Sequence, residues 1–170
     1  LKVLQGIKAG VPGVVEQQIS TGFRFLDDGL ADKARSAFEL VLKIQPGNTQ
    51  AVKALQRVAV LDQVLELLKQ AGEMEQQSNL DKAKEYLENA LALDRESEKV
   101  TRAIAVLNKQ IGERDFSLAM SSCYRALTEN RLAEAKKQFD AAVKIKPDSR
   151  EARSALEQAA NLMVQEQIGE

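Results

Sequence analysis

The chain has 170 residues and a formal net charge of −1. That is enough length for one domain with its own core, and too little charge to favour nucleic acid or an anionic membrane. It has no histidine and one cysteine, Cys123, which excludes a disulfide framework, a multi-cysteine metal site and every nucleophile–histidine pair.

Apolar residues make up 44% of the chain and aromatics only 4%, with three prolines and nine glycines. Ala, Leu, Lys, Glu and Gln dominate. These are strong helix formers with few breakers among them, so the fold class is all-α. Residues 1–14 are broken by Gly6, Gly10, Pro12 and Gly13 and are expected to be a lead-in segment from a longer chain. A helix is predicted from about Val14 to the turn at Asp27, Asp28 and Gly29. A second helix follows, with Ala34, Phe38 and Val41 on one face. It must end before Pro46, because the residue preceding a proline is pushed out of the α region.

Asn48 or Thr49 is a plausible N-cap for the next helix. From Asn48 to Gln77 there is no proline and apolar residues keep helical spacing, which predicts one long helix of about 45 Å. It closes near Ser78 and Asn79. A helix carrying Ala83, Leu87 and Ala90 follows. A second long helix is expected from about 97 to 129, with Gly112 as a kink or break. The alternative is that each long segment splits in two. Asn130 closes that stretch, and a helix carrying Ala135, Phe139 and Ala142 runs to the stop at Pro147. Ser149 is a plausible cap for a closing helix over 149–168.

The chain therefore writes one pattern three times, anchored on Ala34, Ala83 and Ala135. Each copy is a helix, a short turn and a second helix. The small residues Gly22, Ala71 and Cys123 sit in the first helix of each pair, with Phe38, Leu87 and Phe139 in the second. On these residues the chain resembles the tetratricopeptide repeat family, over roughly residues 15–165. The first helices lack the family's Trp and Tyr. The anchors lie 49 and 52 residues apart, longer than the family's repeat of about 34. The resemblance implies a right-handed α-solenoid of about three helical hairpins with long connecting helices and a C-terminal capping helix. It places one repeat domain over 15–168, with units at about 15–48, 64–97 and 116–149.

No phosphate-binding glycine loop is present, and "DDGLAD" lacks the carboxylate spacing of a calcium loop. No catalytic residues, metal ligands or cofactors are expected, and no small-molecule substrate. The basic run from Lys136 to Arg153 is interleaved with acids and has no aromatics for stacking, so nucleic acid is not expected as a partner. No run of eighteen apolar residues exists, so a membrane could be involved only through flanking sequence. The compartment is left open between the cytoplasm and a bacterial envelope.

The resemblance implies a non-catalytic scaffold that binds a peptide or helix of another protein. Carried over by position, its concave groove would be lined by Ile19, Phe23 and Leu26, by Leu68, Gly72 and Glu75, and by Met120, Tyr124 and Leu127. This row is mostly apolar, as suits an amphipathic occupant. The added helix length could instead cover the row and make it core. A second reading is a structural element that self-associates into a homodimer.

Overall fold

Three residues with left-handed backbone reverse the chain. Gly29, Ser78 and Asn130 have φ of +77°, +60° and +54°. They occupy the same place in each copy. The same two hydrogen bonds close each reversal. In the first, the Gly29 N–H donates to the Leu26 carbonyl and the Leu30 N–H to that of Phe25. Ser78 and Asn79 repeat the pair, as do Asn130 and Arg131. This closure satisfies carbonyls that a helix end leaves without partners.

The computed structural model describes residues 2–169, with side-chain burial for 12–165 and Ile168. Seven helices are found among the described residues: α1 (Lys2–Asp27), α2 (Ala31–Ile44), α3 (Thr49–Gln76), α4 (Leu80–Leu93), α5 (Glu98–Thr128), α6 (Leu132–Ile145) and α7 (Arg150–Gly169). The fold is all-α and built hairpin by hairpin. Both long segments are single helices, and α5 passes through Gly112 without interruption. α1 begins at Lys2 rather than near Val14. Pro12 lies inside it, where it removes one hydrogen bond of the ladder.

The caps follow the residue types. Asn48 accepts from the Ala51 N–H at 2.9 Å, Asn79 from that of Lys82 at 3.2 Å, and Ser149 from that of Ala152 at 3.2 Å.

Two compact units are formed, Leu1–Ala105 and Val106–Glu170. In the first, Val15, Leu26, Phe38, Val41, Ala54 and Val58 build one core from α1, α2 and the first half of α3. A second core begins at Val64 and joins it to Ala90 of α4 and Val100 of α5. The switch on α3 falls between Leu61 and Val64. One helix therefore closes the first hairpin and opens the second. That double duty is what lengthens the repeat. In the second unit, Met120 and Cys123 of α5, Phe139 of α6, and Ala152 and Ala159 of α7 share a core.

Small residues let the paired helices approach. A Cβ built on Gly22 would stand 2.6 Å from the Phe38 ring, and Phe38 is wholly buried. Ala71 and Leu87, and Cys123 and Phe139, fill the equivalent positions and are all buried.

Gly22→Ala is expected to overpack this contact and cost about 1–3 kcal/mol, read as a lowered denaturant midpoint. Ser78→Gly is expected to relieve a left-handed serine worth about 1 kcal/mol. In a thermal melt that is a rise in Tm of about 2–4 °C, and an unchanged or lowered Tm would contradict it.

Candidate functional site

In the first unit a ladder of contacts runs from the core to the surface. Phe38, fully buried, meets Phe23 edge-on with ring centroids 5.2 Å apart. The Arg57 guanidinium lies 5.9 Å from the centre of the Phe23 ring, within reach of its negative face. Arg57 Nε donates to both carboxylate oxygens of Asp94 at 3.0 Å. Its Nη2 donates to the Glu96 carbonyl at 3.3 Å.

Asp94 is only 5% exposed, so its charge needs this partner. A further bond holds it, because Asp94 Oδ1 accepts from the Glu96 N–H at 3.1 Å. The turn between α4 and α5 is thereby tied to the first half of α3.

Around this ladder lie two hollows of about 310 and 290 Å³ that share Lys53, Arg57 and Glu96. The second has Phe23 in its wall, and the first reaches Leu93 and Arg95. Together they form a groove walled by the Phe23 ring, by three cations (Lys53, Arg57 and Arg95) and by the carboxylates of Asp94 and Glu96. Its size suits one or two side chains of an incoming segment. Among the described residues no group of three or more His, Cys, Asp or Glu side chains is placed to hold a metal ion. No helix among them is long and apolar enough to cross a membrane.

The residues expected to line a groove divide between surface and core. Phe23 is half-buried and lines the groove. Ile19 is half-buried and packs on the first core. Leu26 (4% exposed) and Met120 (6%) are core residues with no surface to offer a partner. Leu68 packs partly buried against Val64, Ala90 and Val100, and Leu127 packs on the core of the second unit. Gly72 and Glu75 are half-buried. Tyr124 is 44% exposed.

Within its own unit Tyr124 repeats the geometry of Phe23. It meets Phe139 edge-on at 5.7 Å and donates its hydroxyl to Glu151 at 3.1 Å. Partial burial, and then the Glu151 carboxylate beside it, push its pKa above the ordinary phenol value.

Lys53, Arg57, Asp94 and Glu96 were not among the expected site residues. A signal for two of them was present. Counting about 34 residues, the family's own repeat length, from Ile19 and Phe23 lands on Lys53 and Arg57. Both stand in the first half of α3. Nothing in the sequence pointed to Asp94, whose partner is 37 positions away.

The tetratricopeptide repeat family model matches residues 68–97. These are the end of α3, all of α4 and the turn that holds Asp94. Neither a curated protein nor a solved structure matches the chain.

Cys123 is wholly buried in the second unit, and burial pushes its thiol up to about 11 from an ordinary 9.0. The thiolate is the reactive form, so alkylation of the folded chain at neutral pH is expected to be slow and to become fast in denaturant. The raised value also means that the folded state holds this proton longer than the unfolded chain. Stability from this group is full below the unfolded value and is lost as pH climbs through the folded one. Denaturant midpoints measured across that alkaline window should fall, and Cys123→Ala should flatten that part of the curve.

Proposed function

We propose that this chain, which carries a tetratricopeptide repeat, is a non-catalytic scaffold that binds a segment of another protein in the groove between α1, α3 and the α4–α5 turn. The observation that carries the reading is Arg57 laid over Phe23 at the floor of an open hollow. An aromatic surface and a fixed cation side by side suit a segment that brings an apolar side chain and an oxygen acceptor together. Lys53 adds a second cation on the same rim.

Several features support this reading. The repeat match covers the α3–α4 hairpin whose turn carries Asp94 and Glu96. Phe23 is the groove position that the resemblance implies. The groove also belongs to one compact unit, so its parts are held by one set of cores. The reading assigns the second unit a similar exposed aromatic, Tyr124, without requiring the two to act together.

A random-peptide phage library panned on the purified chain tests it. Peptides with an apolar residue near an acidic one are expected to be enriched. Phe23→Ala should weaken them about tenfold, which is about 1.4 kcal/mol. Peptides that bind Phe23→Ala as well as the parent chain would contradict the reading. So would a chain that selects no peptide and, in light scattering, instead forms a concentration-dependent dimer.

A further inference from the structure

The three turns that follow α2, α4 and α6 have one backbone. Gln45, Asp94 and Lys146 have φ, ψ of −133°, 85°, of −133°, 90° and of −129°, 84°. Their N–H groups donate to the carbonyls of Val41, Ala90 and Ala142. The next residue is Pro46 in the first copy and Pro147 in the third. A proline there fixes its own φ and holds the residue before it in extended conformation. The second copy has Arg95 instead, and the turn is kept by the Asp94 carboxylate, which accepts from the Glu96 N–H.

A buried carboxylate is a costly substitute for a ring that needs no partner. What it adds is a hold on Arg57. The carboxylate receives Nε, the Glu96 carbonyl receives Nη2, and the Phe23 ring lies beside the guanidinium. Among the described residues Nη1 makes no hydrogen bond, and the Glu96 carboxylate stands 3.9 Å from it. The two form an ion pair, so an acceptor brought by the occupant takes Nη1 by displacing the exposed Glu96 carboxylate.

We infer that Asp94 is a positioning residue for the groove: it takes the turn-forming role of the proline and fixes Arg57 as a preset donor that selects segments carrying an oxygen acceptor beside an apolar side chain. The inference rests on the scaffold reading and deepens it. A donor held before binding loses less freedom when it is used, so the hold raises affinity without touching the partner.

The test uses the full chain, Asp94→Asn, Arg95→Pro, and Asp94→Asn combined with Arg95→Pro. Asparagine keeps the shape and the acceptor for Glu96 but removes the charge. The added proline restores the stop of the other copies at a backbone that accepts it. The Arg57 Nε–H signal in a nitrogen–proton spectrum, assigned by its loss in Arg57→Lys, reports the hold directly and needs no ligand. Phage-selected peptides report affinity.

In the parent chain the Nε–H signal should be distinct and slow to exchange, and in both variants that carry Asp94→Asn it should shift and exchange faster, because asparagine keeps one acceptor oxygen but loses the other and the charge. Asp94→Asn should weaken peptides about tenfold. The double variant should regain thermal stability while its affinity stays about tenfold below that of Arg95→Pro alone, which loses the same groove-lining cation. Recovery of affinity with the proline would overturn the inference, reducing Asp94 to a turn residue, and would leave the scaffold reading intact. An Nε–H signal unchanged by Asp94→Asn would overturn it as well. A parent chain that selects no peptide overturns the scaffold reading itself and the affinity arm with it, while the Nε–H arm still decides whether Asp94 holds Arg57.

Discussion

The close approach of a small residue to a large one governs how each hairpin packs. Gly22 leaves no room for even a methyl group against Phe38. That contact sets the distance between α1 and α2, and with it the tilt at which Phe23 meets the same ring. Dispersion falls steeply with separation, so a gap of half an ångström would forfeit much of the contact. Phe23 is held on one side by Phe38 and faces the guanidinium on the other. The groove floor is thus an extension of the core, and its rigidity is inherited from packing that no partner touches.

The long helices place the rest. α3 gives its first half to one core and its second half to the next, switching between Leu61 and Val64. Arg57 stands just before that switch. From there it spans from Phe23 of the first hairpin to the turn that ends the second. A helix shared by two hairpins makes them one mechanical piece, which a flexible linker could not do. The ion pair with Asp94 is then less a source of stability than a fixed geometry. A largely buried pair gains little net energy after desolvation, yet it holds both side chains in one place.

Much of this was legible in the sequence because it is local. Glycine and asparagine at helix ends, the prolines after α2 and α6, and the Asn48 and Ser149 caps each act within a few residues. The helical spacing of α3 and α5 likewise gave their lengths. Less legible were features set by distance in space. Leu26 and Met120 share helices with the more exposed Phe23 and Tyr124, and only the packing of the neighbouring helices decides which side of a helix is covered. The start of α1 was missed because glycines and a proline weaken a helix without forbidding it. The Asp94–Arg57 pair was invisible for a different reason. Aspartate in a turn is ordinary, and its partner lies on another helix. The second copy has Arg95 where the other two have Pro46 and Pro147, and that difference takes its meaning only from the carboxylate of the preceding residue, Asp94.

The most direct test of the groove is chemical-shift mapping of a phage-selected peptide on the isotopically labelled chain. The account requires the largest changes at Phe23, Lys53, Arg57 and Glu96, with Arg57 side-chain signals moving as an acceptor arrives. Changes confined to α7, or to the outer faces of α2 and α4, with the Arg57 signals unmoved, would contradict it.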